Sequence, residues 1–238
     1  MNKDYELILL AAGHGRRMRS SKNKILLPLL NKPLIEYPLT LFLNDENCSH
    51  IILVVKEDEV KLITDLLQQE QMYSEKPITI AIGGTERQHS VYKGLQNLKN
   101  KTSSGLVLIH DGARPFIEQQ AIDRLNEAAQ KTGAAILGVP AKDTIKAVHS
   151  DHTVKTTLPR SELWQIQTPQ AFDSSVVLQA HEKARTDSFL GTDDASLVER
   201  LEKAVLVVEG SYDNIKITTP EDMVTGKAIL LHREEQDK

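Results

Sequence analysis

The chain has 238 residues, of which 40% are hydrophobic and 26% charged, and this composition is ordinary for a soluble globular protein. The formal net charge of −4 gives no global electrostatic case for binding nucleic acid or an anionic membrane, and no apolar run approaches the length of a membrane span. The single cysteine, Cys48, excludes an intramolecular disulfide, so we expect a cytoplasmic protein.

A loop of small residues at 11–15 follows the first apolar run, residues 7–10. Small residues let the backbone approach a ligand, and Arg17 and Lys24 place positive charge where phosphates would lie. Met18 stands where a dinucleotide fingerprint needs its third glycine, and the only Gly-Lys pair is not followed by Ser or Thr, as a Walker A loop requires. The loop therefore indicates a nucleoside triphosphate, although a glycine-rich turn with solvated basic residues remains open on this segment alone.

Apolar strands then alternate with amphipathic helices. Strands are predicted at 51–55, 78–82, 106–109 and 134–139, and helices at 58–71, 88–98 and 118–131, the last ended by Gly133. This alternation predicts a parallel sheet covered on both faces. Because such sheets bind ligands beyond the C-terminal ends of their strands, we expect the site in the polar clusters that follow strands, at 13–17, 83–87, 110–114 and 141–146.

The alternation breaks after Pro140. Residues 144–148 and 153–157 flank a four-residue turn, which predicts a β-hairpin that serves either as an arm for a partner subunit or as a lid. The remaining predictions are helices at 174–185 and 193–202, strands at 205–208 and 214–217, and a last helix that opens at Pro220. We predict one domain over residues 1–232, in which 141–165 is the hairpin arm, followed by a flexible tail at 233–238.

Three charged residues beyond the loop are candidates for the chemistry of the site. Asp111 directly follows the fourth strand, and a lone carboxylate beside phosphates suits Mg²⁺, which leaves its other positions to phosphate oxygens and water. A helix N-cap or turn role is the alternative for Asp111. Arg114, three residues on, could hold a second phosphate. Lys216 lies inside a predicted apolar strand, where an unpaired lysine would be costly, so an anionic ligand is favoured there.

Eight motifs, in this order, resemble the 2-C-methyl-D-erythritol 4-phosphate cytidylyltransferase family of the non-mevalonate isoprenoid pathway. They are the loop at 11–18 (with Lys24 beyond it), Gly-Gly-x-x-Arg-x-x-Ser-Val at 83–91, His-Asp-Gly-Ala-Arg-Pro at 110–115, Asp-Thr-Ile-Lys at 143–146, Arg-x-x-Leu-Trp at 160–164, Gln-Thr-Pro-Gln at 167–170, Thr-Asp-Asp-Ala-Ser at 192–196 and Asn-Ile-Lys at 214–216. The resemblance runs from about residue 5 to residue 230.

The resemblance implies an α/β fold of the Rossmann-like nucleotidyltransferase type, as in nucleotide-diphospho-sugar transferases, with a mostly parallel sheet and a protruding β-hairpin arm exchanged in a homodimer. It also implies transfer of a cytidylyl group from CTP to 2-C-methyl-D-erythritol 4-phosphate, which gives 4-diphosphocytidyl-2-C-methyl-D-erythritol and diphosphate. The implied partners are these two small molecules and a second copy of the chain, with no nucleic acid and no membrane.

The resemblance further implies a role for each matching residue. The catalytic cations would be Arg17, Lys24 and Lys216, and Asp111 would hold Mg²⁺ or another divalent cation. The nucleotide would be bound by Ala11, Ala12, Gly13, Gly15, Gly84, Thr85 and Ser90. The acceptor would be bound by Arg114, Thr144, Arg160, Thr168 and Thr192, of which Thr144 and Arg160 would reach the partner's active site.

The chain departs from the family pattern at Thr85, where the family often has Asp, and at Gly112, where it often has Ala. Gly112 is expected to loosen the turn while keeping room for the ligand. The ribitol-5-phosphate cytidylyltransferase family shares the fold but tends to carry Ala-Gly-Gly at 11–13 and lacks the 192–196 pattern. A non-catalytic nucleotide-binding protein is disfavoured by the intact Lys24, Asp111 and Lys216, and an NAD-dependent reductase by the missing third glycine.

Overall fold

The computed structural model describes residues 4–13, 23–69, 76–99 and 105–236. Its strands are β1 (Tyr5–Leu10), β2 (Pro28–Leu29), β3 (Lys32–Pro33), β4 (Cys48–Val55), β5 (Ile78–Ile82), β6 (Leu106–Asp111), β7 (Ala134–Pro140), β8 (Lys146–Val148), β9 (Val154–Thr157), β10 (Trp164–Asp173) and β11 (Leu206–Glu209). Its α-helices are α1 (Glu36–Asn44), α2 (Val60–Gln69), α3 (Arg87–Leu95), α4 (Gln119–Thr132), α5 (Ser174–Thr186), α6 (Asp194–Glu199) and α7 (Pro220–Gln236), and short 3₁₀ turns lie at Lys24–Leu26, Glu57–Glu59 and Arg160–Glu162.

Seven of these strands form one sheet in the order β11-β7-β10-β6-β1-β4-β5. Its pairings are parallel except those of β10, which runs antiparallel to both β6 and β7. The predicted α/β fold with a mostly parallel sheet is therefore confirmed.

The centre of the sheet is buried on both faces, because its apolar side chains alternate between two helical layers. On β1, Leu7 and Leu9 belong to the core that includes Phe42 of α1 and Leu125 of α4. Ile8, between them, belongs to the core on the opposite face. This period of two explains why the strands are apolar throughout: each neighbour in sequence faces a different buried layer. Within the described residues, no helix is both long and apolar enough to cross a bilayer.

The predicted hairpin is present as a separate two-stranded sheet of β8 and β9. Its turn is closed by a hydrogen bond from the His149 N–H to the Thr153 carbonyl (2.9 Å), and its side chains are largely exposed. At its base, the Ala141 N–H donates to the Leu163 carbonyl (2.8 Å). The chain therefore leaves the main sheet after β7 and returns beside it at β10.

Two parts of the fold differ from the prediction. The sequence reading does not anticipate β10, although it is the longest strand described. Residues 214–217 are predicted as a strand but form a loop, in which the Ile217 N–H bonds to the Ala113 carbonyl (2.8 Å) instead of to a neighbouring strand. The prediction that Lys216 lies inside a strand is therefore wrong, because this segment has no ladder partner.

The last helix begins at Pro220, as predicted, and its start is fixed by the Asp222 carboxylate, which accepts from the Thr218 and Thr219 N–H groups (2.7 and 2.8 Å). The helix continues to Gln236, past residue 232 where the predicted domain ends. Arg233, in the predicted tail, donates to Glu118 (2.6 Å). This part of the predicted tail is thus helical and held to the start of α4.

Candidate active site

A cavity of about 210 Å³ lies at the C-terminal ends of β1, β5 and β6. This is the edge at which parallel α/β sheets bind their ligands. Of the predicted site residues, the cavity gathers Ala12, Gly13, Lys24, Gly84, Thr85, Ser90, Asp111 and Lys216. These eight residues converge on one space, although they come from five separate parts of the chain.

A second cavity, of about 320 Å³, adjoins the first beside the middle of β10. It gathers three residues predicted to bind the acceptor, Arg114, Thr168 and Thr192. Three residues line both cavities, and they are Arg87, Asp111 and Lys216. Two ligands that occupied the two cavities would therefore meet at a shared wall of one carboxylate and two cations.

The Asp111 carboxylate, at the end of β6, is 10% exposed and holds a cation on each oxygen. Its Oδ1 accepts from Arg87 Nε (3.1 Å) and its Oδ2 from Lys216 Nζ (2.5 Å). Burial alone would raise the pKa of Asp111, but the charges of Arg87 and Lys216, helped by Arg114, hold it well below its usual range. Asp111 is therefore a fixed negative charge at the shared wall, and its side chain caps no helix.

Lys24 also lines the first cavity and contacts the loop that carries Lys216. Its Nζ donates to the Ile217 carbonyl (2.8 Å). The turn that carries it is fixed by Asn23, whose amide donates to the Ala11 carbonyl (2.8 Å) and whose side-chain oxygen accepts from the Ile25 N–H (3.3 Å). Ala11 is fully buried and extends β1, so it positions this turn and does not line the cavity.

The glycine pair at 83–84 lets the backbone pack closely against the neighbouring site residues. A Cβ on Gly83 would lie 2.7 Å from the Ala12 Cβ and 2.9 Å from the Ser90 Oγ. The Ser90 hydroxyl accepts from the Gly84 N–H (3.1 Å) and donates to the Glu86 carbonyl (3.1 Å). Ser90 thereby holds the loop, and Thr85 stands exposed at the cavity rim.

The expectation for Gly112 needs correction. A Cβ at this position would lie 2.5 Å from the Ile35 Cδ1 and 2.9 Å from the Leu10 carbonyl oxygen. The Gly112 N–H donates to that same carbonyl (2.9 Å). The missing side chain therefore makes room for protein atoms of the turn rather than for a ligand.

Thr168 and His110 hold the backbone of Asp111 in place through hydrogen bonds. The Thr168 hydroxyl accepts from the Asp111 N–H (3.0 Å) and lies 3.1 Å from the His110 Nδ1. Burial lowers the pKa of His110 to about 4. In the neutral ring, Nε2 donates to the Arg114 carbonyl (3.0 Å), so Nδ1 accepts from the Thr168 hydroxyl. Both polar contacts of Thr168 thus serve the Asp111 turn.

Arg114 ties this turn to the loop that carries Lys216. Its Nη1 donates to the Asn214 carbonyl (2.6 Å), and its Nη2 makes a long contact with the Ile166 carbonyl (3.4 Å). Burial lowers the pKa of Arg114. Its Nε is buried without a hydrogen-bond partner in the part of the chain that the structure describes. Arg114 therefore combines a bracing role with one unused donor beside the second cavity.

The remaining predicted residues are not part of these two cavities. Thr144 and Arg160 lie exposed on the hairpin side, where Arg160 Nη1 donates to the Lys142 carbonyl (2.9 Å). Gly15 and Arg17 lie outside the described residues. No prediction about their roles is tested by these placements.

Sequence reasoning assigns no role to Arg87 and Asp194, yet both belong to the site. Arg87 Nη1 donates to Asp194 Oδ2 (2.8 Å), while its Nε contacts Asp111. On the far side, Asp194 Oδ1 accepts from His181 Nε2 (3.1 Å). Burial alone would raise the pKa of Asp194, but Arg87 and the His181 hydrogen bond lower it. Both residues stand inside resemblance motifs, but no local pattern pairs positions 107 residues apart.

The donor set at Asp111 is compatible with a magnesium ion that is bound together with phosphates. Among the described residues, no group of three or more His, Cys, Asp or Glu side chains is placed to hold a metal ion. Mg²⁺ commonly takes one or two carboxylates and completes its shell with phosphate oxygens and water. Asp111 meets that requirement as a single ligand facing both cavities.

Comparison with known proteins gives one consistent result. Residues 6–232 match the family described as 2-C-methyl-D-erythritol 4-phosphate cytidylyltransferase. A protein of that name from Halalkalibacterium halodurans is 47% identical over 231 residues, covering 97% of this chain and 99% of the relative. Another from Geobacillus thermodenitrificans is 49% identical over 230 residues, covering 97% and 98%.

Solved structures agree in fold over almost the whole chain. The crystal structure of 4-diphosphocytidyl-2C-methyl-D-erythritol synthase from Anaerococcus prevotii has a TM-score of 0.82 at 33% identity, covering 96% of this chain and 99% of that one. The structure of a 2-C-methyl-D-erythritol 4-phosphate cytidylyltransferase from Thermus thermophilus has a TM-score of 0.75 at 29% identity, covering 95% and 98%.

Proposed function

Since the chain belongs to the 2-C-methyl-D-erythritol 4-phosphate cytidylyltransferase family and so transfers a cytidylyl group from CTP to that acceptor in isoprenoid biosynthesis, we propose that its two adjoining cavities hold these two substrates. The observation that carries this proposal is the shared wall of Arg87, Asp111 and Lys216. CTP occupies the cavity between the glycine loops, and the acceptor phosphate occupies the cavity beside Arg114. The reacting phosphates then meet at the wall.

The reaction needs positioning more than proton transfer. The acceptor is a phosphate monoester whose second pKa is about 6, so it is largely a dianion at neutral pH. One of its oxygens forms a bond to the α-phosphorus of CTP, and the bond between the α-phosphorus and the bridging oxygen breaks. Diphosphate leaves with that electron pair. No general base is required, which agrees with a site made of cations and one carboxylate.

The cations supply what this reaction lacks in solution, a way to bring two polyanions together. In the proposal, Arg17 and Lys24 hold the triphosphate and Lys216 faces the charge that develops on the α-phosphate. Lys24 and Lys216 line the same cavity but have different partners, the Ile217 carbonyl and the Asp111 carboxylate. These different partners support distinct roles for the two lysines.

We assign Asp111 as the protein ligand of Mg²⁺ or another divalent cation. A bound ion would neutralise phosphate charge and orient the triphosphate. Asp111 is suited to this role because its low pKa keeps it ionised throughout the physiological range.

The exposed hairpin supports a homodimer. Val148 and Val154 on β8 and β9 are 54% and 59% exposed, and Leu206 on the edge strand β11 is 46% exposed. Exposed apolar side chains on a protruding arm and on an edge strand are features that a partner subunit covers. In the proposed dimer, Thr144 and Arg160 of one arm reach the acceptor cavity of the other protomer. The cytoplasm is the proposed compartment, because the only cysteine is buried and unpaired.

Diphosphate release from CTP tests the substrate assignment, with 2-C-methyl-D-erythritol 4-phosphate and ribitol 5-phosphate compared as acceptors. Strong preference for the methylerythritol phosphate supports it, and preference for ribitol 5-phosphate overturns it. Titration of Mg²⁺ into the metal-free enzyme should restore turnover of the native chain, whereas Asp111→Asn should remain impaired at saturating Mg²⁺. Full turnover without any divalent cation would contradict the metal assignment.

Subunit complementation tests the arm. Arg160→Ala and Lys216→Ala are each expected to be impaired as homodimers. A mixed dimer carries one site with an intact Lys216 and an intact Arg160 from the other subunit, so mixing and refolding the two should restore part of the activity. Lack of restoration, with mixed dimers present by mass, would sink the proposed exchange of arms.

A further inference from the structure

Arg87 lies at the centre of an alternating row of charges that links the site to the body of the fold. From the cavity inward the row is Lys216, Asp111, Arg87 and Asp194, with contacts of 2.5, 3.1 and 2.8 Å. The Asp194 and Asp111 side chains are 1% and 10% exposed. Two positive and two negative charges balance, which is the condition under which buried ions are tolerated.

The inner end of the row is rigid. Asp194 is the first residue of α6, and its second oxygen is held by His181 of α5 (3.1 Å). The start of α6 is tied to the central sheet by Gln170 of β10, whose side chain accepts from the Ala195 N–H (3.2 Å) and donates to Asp193 (2.8 Å). The Asp194 carboxylate is therefore held in one position, and Arg87 connects it to Asp111 through a hydrogen bond to each carboxylate.

The outer end of the row faces the substrates. Asp111 has two carboxylate oxygens, and Arg87 engages one of them while the other faces Lys216. Of the two cations on Asp111, Arg87 is the one tied at its other end to a buried carboxylate, so Arg87 is placed to limit rotation of the Asp111 carboxylate about its Cβ–Cγ bond. Lys216 lies on a loop and its Nζ donates to Asp111 Oδ2, so the orientation of the Asp111 carboxylate bears on the position of the lysine.

We propose that Arg87 is a positioning residue of the transferase site, which Asp194 anchors and which orients the Asp111 carboxylate toward Lys216 and the metal. The inference rests on the proposed role of Asp111 and adds the two buried residues behind it. Arg87 does not itself transfer a group or a proton. Although Arg87 also lines both cavities, its hydrogen bonds go to the Asp111 and Asp194 carboxylates, so we assign its action on the reaction to the orientation of Asp111.

The test measures kcat, KM for CTP and thermal stability in Arg87→Ala, Arg87→Lys and Asp194→Asn. Lysine carries the charge of arginine but lacks the fork that reaches two carboxylates. We expect each variant to fold and to lose roughly 10- to 100-fold in kcat, as is common when a residue that orients a ligand is removed. KM for CTP should stay within about threefold, since ground-state contacts are kept.

Three further measurements separate positioning from a purely structural role. Free guanidinium ion should restore part of the kcat of Arg87→Ala and none of that of Asp194→Asn. The double variant Arg87→Ala/Asp194→Asn should be no slower than Arg87→Ala, because Asp194 acts through Arg87. Arg200→Ala is the matched control: it breaks the pair with Asp187 at the other end of α6 (2.9 Å) and should leave kcat unchanged.

Each outcome decides the inference. Multiplicative losses in the double variant, no guanidinium rescue, or an equal loss in Arg200→Ala would overturn it. If Arg87→Ala does not fold, the kcat of Arg87→Lys and Asp194→Asn decides, and unchanged kcat in both contradicts the proposal. Asp111→Asn separates the proposed role of Asp111 from that of Arg87. If Asp111→Asn keeps native activity, the proposed function of Asp111 is contradicted. If only the Arg87 variants keep native activity, the positioning role of Arg87 alone is contradicted.

Discussion

Glu6 and Asp111 are buried carboxylates near opposite ends of the same sheet, and their surroundings differ. Glu6, near the start of β1, accepts from the His50 ring (2.7 Å) and from the Lys99 backbone N–H (3.1 and 3.0 Å). The other nitrogen of His50 contacts the Thr79 hydroxyl (2.8 Å). These side chains come from three neighbouring strands or the turn beside them, and none of their buried polar atoms lacks a partner within the described residues.

The surroundings of Asp111 are less complete. Of the five buried side-chain atoms without a hydrogen-bond partner in the described part of the chain, four lie in this region. They are Arg87 Nη2, Arg114 Nε, His181 Nδ1 and Asn214 Oδ1. Native structures leave few buried polar atoms unpaired. Both carboxylates are buried, but only the surroundings of Asp111 combine adjoining cavities with a concentration of buried, unpaired hydrogen-bonding atoms.

The largest expected effect is on catalysis at the Asp111 end. Lys216→Ala and Lys24→Ala should fold normally and lose at least roughly a hundredfold in kcat, because each removes a cation that stabilises phosphate charge. Steady-state diphosphate release and circular dichroism measure the two properties. Lys131→Ala, on the exposed last turn of α4, is the control and should match the native enzyme. Near-native turnover in both Lys216→Ala and Lys24→Ala would contradict the assignment of the Asp111 end of the sheet as the catalytic site.

A matched pair of carboxyl-to-amide changes sharpens the contrast. Glu6→Gln should lower the free energy of unfolding by about 1–3 kcal/mol, because a buried acceptor of charge-assisted hydrogen bonds is weakened. Its kcat should be unchanged, since the residue lies at the opposite end of the sheet from the cavities. Asp111→Asn should instead abolish most of the turnover. Urea denaturation and turnover are measured on both variants. A large loss of kcat in Glu6→Gln would contradict the expectation that Glu6 serves stability and Asp111 serves catalysis.

The smallest effect concerns Cys48, which reports on the Glu6 end. Burial raises the pKa of this thiol to about 12, so it is protonated and inaccessible in the folded state. Labelling by a thiol reagent should proceed only through opening of the fold. Glu6→Gln should accelerate labelling, whereas Lys216→Ala should leave its rate close to that of the native protein. Equal acceleration in both variants would show that the two ends are not independent.

Much of the fold was predictable, because buried parallel strands can be recognised in the sequence as continuous apolar runs. β5 was predicted at its observed bounds, 78–82, and Gly133 ends α4 in the left-handed conformation (φ 81°) that glycine favours. β10 escaped detection because glutamines and Pro169 interrupt its apolar pattern, and a proline argues against a central strand. The structure accommodates it with a break in the pairing to β7 between Ile166 and Gln170.

The site was predictable only in part. Residues that follow strands directly, such as Asp111, could be placed by the rule that ligands bind at strand ends. The strand expected around Lys216 was wrong, because alternating apolar residues do not form a strand where no partner is available. The Arg87–Asp194 pair depends on the docking of α6 beside β10, and no sequence pattern encodes that contact.

The closure at the base of the hairpin has a consequence for the descent of this protein. One hydrogen bond, from Ala141 to Leu163 (2.8 Å), joins the two ends of the excursion, and Pro140 is already in register with Trp164 beside it. The sheet therefore does not depend on what the intervening residues are. The length and surface of the arm can therefore change during evolution without altering the register of the main sheet, while the scaffold of the catalytic domain stays the same.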